Sequence, residues 1–207
     1  CGTSPRMTEQ PDIADRFYSL HRHGFVRVAA ATPAVRPADV AFNRDAILAQ
    51  ARAADAASVD LLVYPELCLS AYAIDDLHLQ TAMLEAVEIA IAEIAEASAD
   101  LSPVLLIGAP IAFRGRIYNC ALAIARGRVL GVTPKCFLPN YREYYEKRWF
   151  SNGRGVANEA LLIAGQTVPF GSDLLFEADD MAGFSFHMEI CEDYWAPIPP
   201  SSHAALA

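Results

Sequence analysis

A cysteine, a glutamate and a lysine each stand at the end of an apolar run in this 207-residue chain. Cys191 ends the run in "FSFHMEICEDYW" and is followed by two acids, Glu192 and Asp193. A cysteine attacks as a thiolate, which neighbouring carboxylates disfavour, so a nucleophilic Cys191 needs a positive charge nearby. Glu66 follows the run in "LLVYPELCLSAY", and Lys135 follows "GVTP". The three side chains could supply a nucleophile, a general base and a fixed cation.

A cysteine–histidine pair is another way to activate a thiol, and the sequence disfavours it. Alternating apolar and polar residues predict an extended strand over 183–191, with Cys191 at its carboxyl end. His187 is the nearest histidine, and four residues of extended chain span about 13 Å, beyond hydrogen-bond reach. The remaining histidines have no catalytic signature around them; they are His21, His23, His78 and His203. The alternative for Cys191 is that of most buried cysteines, an inert small hydrophobe.

The segments around these residues resemble the nitrilase, or carbon–nitrogen hydrolase, superfamily. More narrowly, "YPELCLSAYAIDDL", "PKCFLPNYREYYEKRWF" and "ICEDYWAPIPP" are similar to the glutaminase domain of the glutamine-dependent NAD synthetase family. The segment "FYSLHRHGFVRVAAA" is similar to the start of actinobacterial members. The resemblance covers roughly residues 17–207 and implies a nitrilase-like four-layer α-β-β-α sandwich.

The resemblance also implies a role for each catalytic candidate. Cys191 would be the nucleophile, Glu66 the general base, and Lys135 the cation that stabilises the thiolate and the tetrahedral oxyanion. Glu146 matches a second glutamate that orients these groups, and its alternative is a plain surface ion pair. For Glu66 and Lys135 the alternatives are a helix cap and a solvated lysine. No metal ligand set is expected.

Three further positions match residues that line the glutamine pocket in the family: Tyr72, Tyr141 and Glu192. A carboxylate suits the substrate's ammonium, and a tyrosine hydroxyl suits its carboxylate. Ordinary packing is the alternative for both tyrosines. Ala71 stands where the family usually has glycine, which predicts strain if that position requires a positive φ. Asp193 receives no role.

The implied function is hydrolysis of L-glutamine through a cysteine thioester, with ammonia passed to ATP-dependent amidation of deamido-NAD to NAD. We expect 1–20 to be a polar lead-in and 21–207 to be the N-terminal part of the glutaminase domain, incomplete at its C-terminus. The synthetase domain, with its ATP and Mg, is expected elsewhere, because no Ser-Gly-Gly-x-Asp-Ser loop occurs. A homo-oligomer is also implied, and residues 1–207 alone should aggregate and be poorly active. The competing interpretations are a stand-alone nitrilase-superfamily amidase and a non-catalytic assembly fragment.

The apolar pattern predicts the elements that must position these side chains. Strands are expected at 25–31, 60–65, 103–110, 118–125 and 128–134, the last two joined by a hairpin turn at Arg126-Gly127. A helix is expected over 77–98, where apolar residues recur at steps of three and four, and a second over 43–57, which has a weaker apolar stripe but many alanines. The alternation of strands and helices indicates an α/β fold with mixed strand directions.

Composition excludes several classes of function. A net charge of −9 argues against nucleic acid and anionic membrane partners, which require clustered basic residues. Five cysteines without a CxxC pair support neither a disulfide framework nor a zinc site. Free thiols and the lack of a secretory signal or a long apolar run predict a cytoplasmic location.

Overall fold

The computed structural model describes residues 19–207. Nine strands and three α-helices follow one another along these residues. In chain order they are β1 (Val28–Ala30), α1 (Val40–Ala56), β2 (Leu61–Val63), α2 (Thr81–Ala97), β3 (Val104–Phe113), β4 (Arg116–Ala125), β5 (Arg128–Pro134), β6 (Glu159–Ile163), β7 (Gln166–Phe170), β8 (Phe176–Glu177), β9 (Ser185–Phe186) and α3 (Pro200–Ala204). A short 3₁₀ helix at Leu20–His23 precedes β1, and others lie between the later elements at Asp75–Leu79, Ser98–Asp100, Glu146–Arg148 and Cys191–Trp195.

Seven strands form one mixed sheet in the order β1-β2-β3-β4-β5-β7-β6. Strands β1, β2 and β3 are parallel, β4 runs antiparallel to β3, and β5 runs antiparallel to β4. Strands β2 and β5 therefore point the same way, and their carboxyl ends lie at the same edge of the sheet. Strand β4 begins near that edge. This arrangement brings the segments that follow β2 and β5 to one place.

The two long helices cover one face of the sheet. Their apolar stripes, which include Ile47 and Ile91, pack against alternate strand residues such as Leu105 and Leu122. Burial of these side chains is the main stabilising contribution, about 1.5–3 kcal/mol for each fully buried aliphatic residue. The opposite face carries a separate cluster around Leu106, which the two-stranded ribbon of β8 and β9 covers. The described residues thus build a helix layer, a main sheet and a ribbon on the far face.

Most predicted elements are confirmed, with altered ends. All five predicted strands form, and the predicted helices appear as α1 and α2, the second of them preceded by a 3₁₀ turn at Asp75–Leu79. The turn between β4 and β5 is as expected, because Arg126 and Gly127 both have the positive φ of a tight hairpin. The hairpin of β6 and β7 has no counterpart among the predictions.

The predicted strand over 183–191 is wrong. Only Ser185–Phe186 pairs as a strand, and Cys191 instead begins a 3₁₀ helix that ends at Trp195. The alternating pattern arises because Met188 and Ile190 are buried without a pairing partner. The proposed lead-in over 1–20 lies almost entirely outside the described residues. Within the described part, no helix combines the length and apolarity needed to cross a membrane.

Candidate active site

Glu66 lies in the loop after β2, and a glycine on β3 permits its position. A Cβ atom added to Gly108 would stand 2.3 Å from the backbone nitrogen of Leu67 and 2.9 Å from the carbonyl oxygen of Pro65. Only a residue without a side chain allows the two backbones to approach so closely. The Glu66 side chain remains 17% exposed, so it is held in place yet accessible.

Lys135 follows β5 directly and is anchored through its own backbone. Its N–H donates to the carbonyl of Asn119 at 2.8 Å, and its carbonyl accepts from the N–H of Gly153 at 2.7 Å. A Cβ atom at Gly153 would lie 2.6 Å from the carbonyl oxygen of Pro134, so this contact also requires glycine. The lysine side chain is fully buried, which excludes the solvated alternative.

The Lys135 ammonium joins two carboxylates. Its Nζ lies 2.6 Å from Oε1 of Glu66 and 2.8 Å from Oε1 of Glu146, which also accepts from the Tyr72 hydroxyl at 2.7 Å. Burial lowers the pKa of Lys135, but the two carboxylates raise it by a larger amount. The net pKa is above the ordinary value for lysine, so the amine stays charged. Burial raises the pKa of Glu146, and Lys135 and Tyr72 oppose that rise. Glu146 has no exposed surface, so the surface ion pair considered for it is wrong.

Cys191 lies beside this charged cluster at the start of its 3₁₀ helix. Its φ of +49° places it in the left-handed region, where a residue with a side chain is strained. Burial raises the pKa of the Cys191 thiol to about 11; Glu66 and Glu146 also raise it, whereas Lys135 lowers it. The positive charge of Lys135 does not offset the burial of the thiol and the negative charges of the two glutamates. At neutral pH the thiol is therefore protonated.

The residues predicted to bind substrate divide into two places. Tyr141 donates to Oε2 of Glu192 at 2.9 Å, and the indole N–H of Trp195 donates to the same oxygen at 2.9 Å. Tyr141 and Trp195 are exposed, whereas Glu192, which directly follows Cys191, is half-buried. Tyr72 instead points at Glu146, and the ring of Tyr144 lies between Tyr72 and Tyr141 in edge-to-face contact with both. Tyr72 thus contacts the charged cluster directly.

A cavity of about 330 Å³ opens beside the thiol, and it is bordered by both Glu66 and Cys191. Its other walls are mainly apolar, from Leu106 and Ala121 on the sheet and Met188 on the segment before Cys191. This volume is at the lower end for small-molecule sites. A larger cavity of about 480 Å³ lies behind the Lys135 loop and is bordered by neither Glu66 nor Cys191.

Comparison with known proteins identifies the family. No protein-family model matches the chain. A glutamine-dependent NAD(+) synthetase from Mycobacterium tuberculosis is 51% identical over 191 residues, which are 92% of this chain and 28% of that protein. The crystal structure of a glutamine-dependent NAD(+) synthetase from Cytophaga hutchinsonii matches with a TM-score of 0.73 and 32% identity, covering 81% of this chain and 28% of that chain. This chain belongs to the glutamine-dependent NAD synthetase family.

Within the synthetase family, the chain corresponds to the nitrilase-like part and spans about 28% of the length of the curated relatives it matches. An amidase from Nesterenkonia sp. has the same fold, with a TM-score of 0.54 and 22% identity over 72% of this chain and 57% of that chain. The predicted nitrilase-like α/β fold is thereby confirmed. The catalytic and substrate-binding roles assigned to individual residues remain predictions.

Ala71 occupies a position where the synthetase family usually has glycine. Its φ is +72°, so the residue before Tyr72 does adopt the left-handed conformation. Alanine is strained there, at a cost on the order of 1 kcal/mol. Tyr72 nevertheless reaches Glu146, so the strain does not displace the tyrosine from the cluster.

Asn119 belongs to the site and was missed. It is buried, and its Nδ2 donates to Oε1 of Glu66 at 2.7 Å, the same oxygen that Lys135 binds. Its Oδ1 has no hydrogen-bond partner. An asparagine within the apolar run "YNCALAIA" is the signal that could have found it, because a buried amide needs a polar partner. In this synthetase family member that partner is the predicted general base.

Proposed function

We propose that this chain is the glutamine-hydrolysing part of an NAD synthetase, with Cys191 as its nucleophile. The observation that supports this most directly is the buried ammonium of Lys135 held between Glu66 and Glu146 beside a half-buried thiol. Such a cluster provides a proton acceptor and a fixed positive charge within reach of one sulfur. Those are the requirements for acyl transfer from an amide.

The reaction would begin from the neutral thiol. Glu66 takes the Cys191 proton while Sγ attacks the side-chain amide carbon of glutamine, because the raised pKa of the thiol leaves little free thiolate at neutral pH. Negative charge then develops on the amide oxygen, and Lys135 stabilises it. Glu66 returns the proton to the amide nitrogen, the carbon–nitrogen bond breaks, and ammonia leaves. The product on the protein is a γ-glutamyl thioester.

Water would complete the cycle. Glu66 accepts a proton from water as the water oxygen attacks the thioester carbon, and that proton returns to Sγ as the carbon–sulfur bond breaks. Glutamate is released and the thiol is restored. Glu146 and Tyr72 contact Lys135 or its partner instead of the reacting sulfur, so they act as positioning residues that fix the ammonium.

Substrate selection would rest on Glu192 and its partners. Glu192 directly follows Cys191, is half-buried, and has its carboxylate oriented by Tyr141 and Trp195. It can bind the α-ammonium of glutamine, while the Tyr141 hydroxyl can donate to the α-carboxylate. A simple aliphatic amide lacks both charged groups. Preference for a free amino acid over such amides is the expected specificity.

The complete activity would be that of the longer relatives. Ammonia released at Cys191 would be consumed by a synthetase domain that uses ATP, Mg and deamido-NAD to make NAD. A relative from Acinetobacter baumannii, 29% identical, has been solved in complex with ADP, which supports a nucleotide site in such proteins. A homo-oligomer in the cytoplasm is part of the same proposal.

A specificity panel tests the proposal on the protein that carries this chain, expressed at its natural length. Glutamine should be hydrolysed in preference to butyramide, nitriles and carbamoyl amino acids, and a glutamine-like diazo-ketone should label Cys191. Hydrolysis of aliphatic amides in preference to glutamine would instead favour a stand-alone amidase. A lack of both turnover and adduct would favour a non-catalytic assembly role and refute the proposal.

A further inference from the structure

Asp193 has no role predicted from the sequence, yet it accepts more hydrogen bonds than the other carboxylates near the nucleophile. Its side chain is 2% exposed and accepts hydrogen bonds from three backbone N–H groups. Oδ1 accepts from Phe137 at 2.7 Å and from Cys136 at 3.0 Å. Oδ2 accepts from Ile190 at 3.1 Å and shares the Cys136 N–H at 3.3 Å. Within the part of the chain that the structure describes, all of its hydrogen-bond donors are backbone amides.

The three donors belong to the two segments that carry the predicted cation and the predicted nucleophile. Cys136 and Phe137 directly follow Lys135, and Ile190 directly precedes Cys191. These segments are not paired as neighbouring strands, so the carboxylate is a direct link between them. It joins positions more than fifty residues apart in sequence.

The left-handed backbone conformation of Cys191 requires support from its surroundings, and the hydrogen bonds to Asp193 provide it. A residue with a side chain at φ +49° persists only where its surroundings hold it, at a cost on the order of 1–3 kcal/mol. The N–H of Ile190, just before Cys191, donates to the side chain of Asp193, just after it, so this hydrogen bond spans the turn that contains Cys191. The bonds to the Lys135 segment then fix that turn relative to the ammonium.

We propose that Asp193 is a positioning residue for the glutaminase reaction, setting the placement of the Cys191 sulfur against Lys135 by bracing both backbones. The inference rests on the proposed function for its catalytic meaning. Asp193 touches neither substrate nor the reacting atoms. Its effect would reach the reaction through the geometry of the two residues it braces, for which a displacement of 1 Å can cost about 100-fold in rate.

A carboxylate suits this task better than an amide of the same size. Both of its oxygens accept, so Oδ1 binds the Phe137 and Cys136 amides while Oδ2 binds the Ile190 amide and shares that of Cys136. An asparagine has one acceptor oxygen and must point its NH₂ group at one of the two segments. Asp193→Asn therefore breaks one half of the brace while it keeps the volume of the side chain.

The test compares Asp193→Asn with Asp179→Asn, which makes the same change at an exposed carboxylate in the loop between β8 and β9. Both are made in the protein of natural length and assayed below the thermal midpoint of the weaker variant. Asp193→Asn should lower kcat for glutamine by about 100-fold with KM changed less than threefold. It should also alter the second-order rate of Cys191 alkylation by iodoacetamide. Asp179→Asn should match the wild type in all three quantities.

A purely structural role for Asp193 predicts a lower midpoint with kcat and the alkylation rate unchanged, and that result would overturn the inference. If Asp193→Asn does not fold, amide hydrogen exchange of the wild type decides. Strong protection of the Phe137 and Ile190 amides supports the brace, and fast exchange of either refutes it. Alkylation requires no glutamine, so a wild type without glutaminase activity would refute the proposed function and leave the brace testable.

Discussion

Lys135 and Glu146 form an ion pair in which neither side chain has any solvent exposure, with Nζ and Oε1 2.8 Å apart. Burial of two charges removes their hydration, and only their mutual attraction and further hydrogen bonds offset that cost. Tyr72 and Glu66 provide those further bonds. Each member of the cluster therefore depends on the others for its charge state. The effects of substitutions within it on the free energy of unfolding should be strongly coupled.

Lys135→Met should abolish glutamine hydrolysis and destabilise the fold by about 3–5 kcal/mol, since it leaves buried carboxylates without their cation. Adding Glu146→Gln should restore part of the lost stability without restoring turnover, because the double variant removes one of the uncompensated charges. Denaturant unfolding of the wild type, both single variants and the double variant gives the coupling free energy. Additive effects of the two substitutions would contradict the interdependence.

Glu66→Gln should separate proton transfer from thiol reactivity. Glu66 contributes to the raised pKa of Cys191, so removing its charge lowers that pKa and increases the thiolate fraction at any pH below it. Alkylation of Cys191 at pH 8 should therefore become faster, while glutamine turnover falls by a factor on the order of 10²–10⁴ with the base removed. Rates of iodoacetamide labelling across pH 6–11 measure the shift. Cys191→Ala provides the background, and slower labelling of Glu66→Gln would argue against the assigned electrostatics.

Glu192→Gln should impair recognition of glutamine and leave the thiol unaffected. Loss of one charge-assisted contact, worth about 1.5–3 kcal/mol, should raise KM by about 10- to 150-fold. Glu177→Gln, an equivalent change at an exposed position on the ribbon, is the matched control and should leave KM unchanged. Steady-state kinetics and Cys191 alkylation are measured on both. An unchanged KM in Glu192→Gln would remove Glu192 from the substrate site.

Gly108→Ala should damage the site through the backbone. The added Cβ would meet the backbone of the Glu66 loop at 2.3 Å, so the loop must move and carry Glu66 with it. Gly115→Ala is the control, because Gly115 has open space around it and a φ of +73°, so alanine there costs about 1 kcal/mol of strain without a clash. Thermal midpoints and kcat distinguish the two. Only Gly108→Ala should lower kcat, and equal kcat values would show that Glu66 tolerates the displacement.

The sequence was most informative where local pattern and chemistry coincide. Glu66 and Lys135 could be found because each follows an apolar run, and the two runs form strands whose carboxyl ends lie at the same edge of the sheet. The long helices were predictable for the same reason, since the apolar stripe of α2 repeats at helical spacing. These features depend on residues close together in the chain.

The turn at Cys191 could not be predicted because its cause lies far away in the sequence. The alternation of Phe184, Phe186 and Met188 indicates an extended strand. Those side chains do pack against the apolar cluster around Leu106, but strand pairing ends at Phe186. The turn itself depends on Asp193 and on two amides that follow Lys135. Asn119 was equally hidden, because its partner Glu66 is 53 positions away. Secondary-structure propensity depends on neighbouring residues in the sequence, so it does not detect partners that are this distant.

The span between Glu66 and Cys191 also sets the order of events as the protein folds. The ion pair of Glu66 with Lys135 closes a separation of 69 residues, and the turn at Cys191 comes later still in the chain. Loops of that length close late, after local helices and hairpins have formed. Until then the thiol is exposed to solvent, and its pKa rises only when folding buries it and brings Glu66 beside it. The rate at which Cys191 loses its reactivity toward alkylating reagents during refolding therefore reports when the native site is complete.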